Sequence, residues 1–212
     1  MLKKKTVFIL VLSLLITIVS LNLIYNIYQI KQVQNLVESI ETNNYEQFSV
    51  YLEQVVNVNS PPCSFFKRLF SEERFDTPLQ VACRIGNINM VNALIAKGAD
   101  VNYVHSYISP FSPLMCAAGS KSENNIEVVK ILIAKGADVN YSIDGSNDAL
   151  CRAVDRNEGR PNSVEIIDFL IENGASLERQ YPKGSIFDVA DFWANEEIIS
   201  CLGKYKTGTQ GD

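Results

Sequence analysis

An uninterrupted apolar run is the first strong pattern along the chain. Residues 6–30 contain no charged side chain over 25 positions, and 17 of the 23 residues in 6–28 are apolar. At about 1.5 Å of rise per residue, such a run can cross about 30 Å of hydrocarbon as one helix. The pattern predicts a transmembrane helix over residues 6–28, because a globular core helix rarely stays uncharged for so long.

The flanks of this run bear on whether it is a cleaved signal peptide or an uncleaved anchor. Three lysines precede it at positions 3–5, and the residues after it lack the small-x-small pattern of a cleavage site. Tyr25 and Tyr28 lie where an aromatic belt would meet the membrane interface. We expect an uncleaved single-span signal anchor, with residues 1–5 in the cytoplasm, a linker at 29–35, and the remaining chain on the periplasmic or extracytoplasmic side.

After residue 35 the hydrophobic pattern becomes periodic. Val91, Leu94 and Ile95 illustrate the i, i+3, i+4 stripe of a helix with one buried face. Similar segments recur near residues 36–59, 76–102, 111–140, 147–177 and 184–202. Repeats of this length are supersecondary units that bury their apolar faces only by stacking on one another.

Each unit carries start and stop signals for a pair of helices. Thr77 can cap a helix whose first turn accepts Pro78, Gly98 can end the second helix in a left-handed conformation, and Asp100 can seed the following turn. The positions that define this structural motif are Thr77, Pro78, Leu79, Ala82, Gly98, Asp100, Pro113, Leu114, Ala117, Gly136, Asp138, Leu150, Ala153 and Gly174.

These motifs resemble the ankyrin repeat family. Thr77-Pro-Leu and two copies of Leu-Ile-Ala-Lys-Gly-Ala-Asp-Val-Asn, beginning at Leu94 and Leu132, carry the resemblance. It implies an all-α ankyrin repeat solenoid over residues 36–202, built of helix-turn-helix units with β-turn fingers, with about four repeats plus degenerate caps. It also implies a monomeric, non-catalytic scaffold that binds protein partners. We expect a flexible tail at 203–212.

The sequence departs from the family pattern at one position in each repeat. The family often has histidine directly after Thr-Pro-Leu, whereas this chain has Gln80, Met115, Cys151 and Asp188 there. The family's side-chain to backbone network between repeats is therefore in doubt here. Met115 and Cys151 are expected to pack against neighbouring apolar groups instead.

Composition and charge exclude several function classes. The whole chain is 47% apolar with a net charge of −5, but the part after the apolar run carries 16 basic and 24 acidic side chains, a net of −8. Such an acidic domain does not favour nucleic-acid phosphate. The five cysteines and the single histidine show no metal-ligand spacing, and no serine lies in a nucleophile elbow. We therefore expect no metal, no cofactor and no enzyme activity.

The fingers are unusually aromatic, and the resemblance places partner binding on the concave side, at finger tips and first helices. Tyrosine is favoured at interfaces because it offers a large contact area and a polar tip. The candidate partner-binding residues are Tyr103, His105, Tyr107, Tyr141, Asp144, Arg179 and Tyr181. The alternative is that these tyrosines pack against the next finger as spacers. The aromatic and basic insertion at 60–75 has two interpretations, a partner- or membrane-binding loop or, the one we favour, a flap over the first repeat.

The sequence thus predicts a membrane-anchored ankyrin repeat protein that captures an unknown protein partner through its concave face and finger tips. One alternative is an immunity-type inhibitor of an exported or envelope-acting toxin, a task suited to small anchored ankyrin proteins of bacteria, with an acidic stack facing a basic toxin. A second alternative is an accessory subunit of an envelope enzyme or transporter.

Overall fold

The computed structural model describes residues 2–63, 75–104, 110–143, 145, 147–155, 161–193 and 195–206, with side chains from residue 11 onward. Within these ranges every regular element is an α-helix, as predicted. The helices are α1 Leu2–Glu41, α2 Tyr45–Gln54, α3 Pro78–Ile85, α4 Ile88–Ala96, α5 Pro113–Ala118, α6 Asn125–Ala134, α7 Ala149–Val154, α8 Ser163–Glu172, α9 Ile186–Phe192 and α10 Glu196–Lys206.

The helices form two rows that stack along one axis. The inner row contains α1, α3, α5, α7 and α9, and the outer row contains α2, α4, α6, α8 and α10, each paired with the inner helix before it. Their facing side chains form a continuous apolar core along the stack. Four alanines of the inner row, one in each repeat after the first, are almost completely buried at Ala82, Ala117, Ala153 and Ala190. Small side chains at these positions let neighbouring helices approach closely.

Helix α1 joins the apolar run and the first repeat without a break. Its amino-terminal part is long and apolar enough to cross a membrane, and the described side chains of this part are exposed throughout residues 11–28. Further along, Val33, Leu36 and Ile40 are buried against the stack. The segment 29–35, expected to be a linker, is helical and belongs partly to the core, because its apolar residues continue the helical stripe of the first repeat.

The predicted helix signals are confirmed by the backbone geometry. Thr77 caps α3 by accepting a hydrogen bond from the Gln80 N–H, and Ser112 caps α5 in the same way. Gly98, Gly136 and Gly174 follow the outer helices with φ of 95°, 86° and 89°. This left-handed conformation is strained for residues with a Cβ, so glycine is favoured at the position where each outer helix ends and the chain turns.

An asparagine in each finger bonds to the finger of the next repeat. Asn102 Oδ1 accepts from the Asp138 N–H at 2.8 Å, and its Nδ2 donates to the Gly136 carbonyl at 2.9 Å. The same pair of bonds joins Asn59 to Asp100 and Gly98, and Asn140 to Ser176 and Gly174. These bonds align the fingers along one side of the stack, which we name the finger edge. The opposite side, with the turns inside each helix pair near Asn43 and Asn87, is the turn edge.

Gln80 forms side-chain to backbone hydrogen bonds between repeats, although it replaces the histidine that the family often has at this position. Its Oε1 accepts from the Thr77 N–H at 2.7 Å, and its Nε2 donates to the carbonyls of Phe111 at 2.6 Å and Tyr103 at 3.4 Å. The amide has both a donor and an acceptor, as imidazole does, so it can bridge two repeats. Met115, in contrast, is fully buried as a packing residue, and Cys151 is half-buried.

Replacing Gln80 with alanine should lower the free energy of unfolding by about 2 kcal/mol, because buried groups at Thr77 and Phe111 would lose their partner. Thermal unfolding followed by circular dichroism measures this loss. Gln80→His, which restores the residue typical of the family, is the matched control and should retain most of the stability. Equal destabilisation by both variants would contradict the bridging role of Gln80.

The carboxy-terminal helix closes the stack. Asp168 of α8 accepts hydrogen bonds from Tyr205 Oη at 2.9 Å and Cys201 Sγ at 3.1 Å, both on α10. Burial and the bond to Asp168 raise the pKa of the Cys201 thiol to about 12. Residues 203–206, expected to begin a flexible tail, are the last turn of α10, and residues 207–212 lie outside the described residues.

Candidate functional site: the concave face

The inner helices α3, α5, α7 and α9 and the fingers between them form one face of the stack, which we name the concave face as in ankyrin repeats. On the part of this face that the structure describes, two depressions bear on the argument. The larger, of about 430 Å³, lies near the carboxy-terminal end of the stack, and we name it the carboxy-terminal cavity. It is lined by Asn147, Cys151, Asp155, Tyr181, Pro182, Lys183, Val189, Phe192 and Trp193. The smaller, of about 280 Å³, is the central depression, lined by Asp76, Arg84, Cys116, Gly119 and Arg152.

An aromatic and cationic cluster forms one wall of the carboxy-terminal cavity. The ring of Phe192 contacts that of Trp193 edge to face with centroids 5.0 Å apart. Lys183 Nζ lies 3.5 Å from the centroid of Phe192 and 3.9 Å from that of Trp193, so the ammonium group is over both rings. Phe192 is nevertheless 62% exposed. A large exposed ring beside a cation can supply apolar contact and a charge to a partner.

The floor of this cavity is held by a buried carboxylate. Asp148 is 3% exposed and caps α7 by accepting from the Cys151 N–H at 2.7 Å. Its other oxygen, Oδ2, accepts from Tyr181 Oη at 2.9 Å and lies 2.9 Å from Arg179 Nε. Burial and the neighbouring Asp148 raise the pKa of Tyr181, so its hydroxyl remains a donor at neutral pH. The Asp148 side chain therefore fixes the finger that contains Arg179 and Tyr181 to the start of α7.

Cys151 is the thiol that lines the cavity, and it is not activated as a nucleophile. Burial, together with the negative charges of Asp148 and Asp155, raises its pKa to about 12. Because the thiolate is the reactive form, a thiol with this pKa is nearly all protonated at neutral pH. The cavity therefore offers shape and charge to a ligand and no covalent chemistry at this sulfur.

The central depression combines two arginines with a small residue. Arg84 Nε lies 3.7 Å from Asp76 Oδ2, and the Arg152 guanidinium lies 4.8 Å above the ring of Phe111. A Cβ added to Gly119 would come within 2.6 Å of Arg152 Nη2, so the absence of a side chain there makes room for the guanidinium. The concave face therefore carries positive groups, although the stack as a whole is acidic.

The structure separates the predicted partner-binding residues. Tyr103 is half-buried in its finger, and half-buried Tyr141 donates from its hydroxyl to the Pro110 carbonyl at 3.1 Å. Arg179 donates to the Asn140 carbonyl at 2.9 Å, so it joins two fingers. Tyr181 is only 6% exposed and packs within the stack, where its hydroxyl bonds to Asp148. The residues outside the described part are His105, Tyr107 and Asp144, together with positions 64–74 of the 60–75 insertion.

Sequence reasoning missed the residues that shape the two depressions, namely Arg84, Arg152, Lys183 and Phe192. Their positions relative to the repeat motif contained a signal. On the inner helices, Arg84 lies two positions after Ala82 and Arg152 lies directly before Ala153, and Arg84 is exposed whereas Arg152 is half-buried. Phe192 is an exposed aromatic residue on the last inner helix, and no periodic pattern predicts its exposure.

Comparison with known proteins agrees with this architecture. A family model for ankyrin repeats matches the chain over residues 52–143 and 79–181, in three copies, which covers more than half of the sequence. No curated protein matches the chain. Ankyrin repeats indicate a protein–protein interaction module, and the family is generally non-catalytic. The chain therefore belongs to the ankyrin repeat family.

Proposed function

We propose that this protein is a membrane-tethered ankyrin scaffold that captures a protein partner on its concave face. Helix α1 anchors it through residues 6–28, with the amino terminus in the cytoplasm and the stack on the extracytoplasmic side, as the lysines at 3–5 favour. The scaffold is non-catalytic and needs no cofactor, metal or nucleic acid. Its role is to hold a partner near the membrane.

The exposed cluster at the carboxy-terminal cavity is the observation that carries this proposal. Phe192 is 62% exposed beside Trp193 and Lys183, although the neighbouring inner-helix residues Val189 and Ala190 are buried. An exposed aromatic side chain in a concave, rigidly held setting is typical of the anchor residues that dominate binding energy at protein interfaces. Tyr103 and Tyr141, half-buried in the earlier fingers, remain candidates for partner contact outside this cluster.

Photo-crosslinking tests the use of this face. A photoreactive phenylalanine analogue at position 192 should crosslink to a protein partner in intact membranes. The same analogue at Val50, which is 52% exposed on outer helix α2, is the matched control and should give no such product. Identical product patterns at both positions would contradict capture on the concave face.

Removing the aromatic anchor should weaken capture. Phe192→Ala is expected to reduce partner affinity at least about tenfold, because an interface anchor costs more than about 1 to 2 kcal/mol when truncated. Affinity is measured with the crosslinked partner once it is identified, and Val50→Ala serves as the control. Unchanged affinity for Phe192→Ala, with a normal thermal melt, would remove Phe192 from the interface.

The identity of the partner decides among the three roles. A toxic partner whose activity kills cells lacking this protein would establish the immunity-type inhibitor. A partner that is an envelope enzyme or transporter, and that loses activity without this chain, would establish the accessory subunit. Arg84, Arg152 and Lys183 share the two depressions with Asp76 and Asp155, so this face offers charges of both signs to a partner.

A further inference from the structure

We infer that the finger edge of the stack lies against the membrane and meets the lipid headgroup layer. The inference rests on the proposed anchor, and it holds for whichever side of the membrane the stack occupies. It follows from the direction of α1 through the first repeat, from the alignment of the other repeats on α1, and from the chemistry of the finger edge.

Helix α1 enters the stack beside the first finger. The last exposed apolar residue of the run is Tyr28, and the next residue, Gln29, accepts a hydrogen bond from the Val56 N–H at 3.4 Å. Gln34 Nε2 donates to the Pro62 carbonyl at 3.1 Å. Val56 and Pro62 flank the first finger. The stack therefore begins within one residue of the end of the apolar run, and it begins at its finger edge.

From the finger edge, α1 runs toward the turn edge. At its other end, Glu41 Oε1 lies 3.8 Å from Arg84 Nη2, near the end of α3. Two residues later, just after α1 ends, Asn43 Oδ1 accepts a hydrogen bond from Asn87 Nδ2 at 2.5 Å. Helix α1 thus crosses the stack from the finger edge to the turn edge, parallel to α3. Twelve residues separate Gln29 from Glu41, so the turn edge lies about 18 Å farther from the membrane.

The fingers of the later repeats are aligned with the first finger. The asparagine bonds join the first finger to the second, the second to the third and the third to the fourth, so the fingers form one continuous row. Inner helices in neighbouring repeats lie about 10 Å apart. The row therefore runs about 30 to 40 Å along the membrane surface, starting from α1, with the concave face opening parallel to that surface.

The finger edge carries charges of both signs beside tyrosine side chains. Lys97 and Lys135 follow the last turns of α4 and α6 and are exposed at this edge, where Lys97 Nζ lies 3.5 Å from Glu53 Oε2 and the exposed Asp100 and Asp138 lie in the adjoining fingers. Tyr103 and Tyr141 lie in the fingers beside them, each half-buried. Lysine side chains attract lipid phosphates, and tyrosine is favoured at the membrane interface. A partner on the concave face would then have to lie at the membrane surface itself.

Fluorescence quenching by lipids with a headgroup nitroxide tests this orientation on the full-length chain in vesicles. A thiol-reactive fluorophore is attached at Lys97→Cys and Lys135→Cys on the finger edge, and at Asn89→Cys and Lys121→Cys on the turn edge. All four positions are exposed, and the unmodified chain labelled in parallel gives the background from its five native thiols. Quenching should be several-fold stronger at the two finger-edge positions.

A flexible insertion provides the matched control. Six alternating glycine and serine residues placed between Tyr28 and Gln29 leave both the anchor and the stack intact but break the continuous helix. The difference between the edges should then largely disappear. Equal quenching at both edges in the uninterrupted chain, or stronger quenching at the turn edge, would overturn the orientation alone. A chain washed from the vesicles by alkaline carbonate would overturn the anchor and the orientation together.

Discussion

Two arginines in the middle of the apolar half of α1, Ile16→Arg with Val19→Arg, should move the protein from the membrane fraction to the soluble fraction. Ile16 and Val19 are 59% and 66% exposed, so neither belongs to the core of the stack. An arginine near the centre of a transmembrane helix costs about 2.5 to 3.5 kcal/mol, so the pair removes most of the gain from insertion. Carbonate extraction followed by immunoblotting measures the partition.

The control for this pair is Ile16→Leu with Val19→Leu, which keeps the apolar surface and should remain in the membrane pellet. The melting temperature of the stack should be the same in both double variants, since the described contacts of the repeats begin at Gln29. Retention of the arginine variant in the pellet after carbonate treatment would show that the apolar run is not the anchor.

Replacing Asp148 with alanine should cost about 3 kcal/mol of stability and loosen the carboxy-terminal cavity. Removing this carboxylate takes away the cap of α7 and leaves Tyr181 and Arg179 without their shared acceptor. Removing one partner of a buried ion pair is strongly destabilising, because the other charge stays buried and uncompensated. Because the Arg179 side chain is 20% exposed, water can partly solvate its charge, so we expect a loss at the lower end of the about 3 to 5 kcal/mol typical of such a change. Chemical unfolding followed by circular dichroism measures it.

Tyr181→Phe is the matched control for Asp148→Ala, because it removes one hydrogen bond and keeps the ring. It should cost about 1 kcal/mol. Both variants should melt cooperatively, and crosslinking from position 192 should fall more in Asp148→Ala, whose finger is less well held. If the two variants lose the same stability, Asp148 contributes no more than its bond to Tyr181.

The parts of the fold that the sequence predicted are those set by local chemistry. Thr77 caps a helix, Gly98 takes a left-handed conformation, and Asp100 accepts from the Asn102 N–H at 2.9 Å, each within a few residues along the chain. Such features depend on neighbouring residues and therefore appear in the pattern itself. The stacking order follows from them, since each unit has one apolar face to bury.

The features that the sequence did not predict depend on distant contacts. Gln29, Gln32 and Gln34 look like linker residues, but the stripe formed by Val33 and Leu36 packs into the first repeat and keeps the segment helical. Gln32 is only 7% exposed, so its polarity did not indicate its surroundings. Tertiary burial outweighs local composition in such a segment.

Tyr181 illustrates the same limit within the candidate site. Its nearness to the repeat position of Tyr103 and Tyr141 suggested a shared surface. In the register of the repeat, however, Arg179 takes the place of Tyr141, and Tyr181 turns inward to Asp148. A buried acceptor at the start of the preceding inner helix, α7, decides the direction of that ring, and this acceptor is 33 residues earlier in the chain.

The unbroken course of α1 gives the molecule the mechanics of a lever. The helix has 40 residues, about 60 Å of rod, and the stack is fixed rigidly along its carboxy-terminal third. The carboxy-terminal cavity lies at the far end of the row of repeats, well away from the axis of the rod. In the proposed anchored state, a load that a bound partner places on Phe192 would therefore act as a turning moment on a single helix, and tilting that partner would tilt the helix in the bilayer.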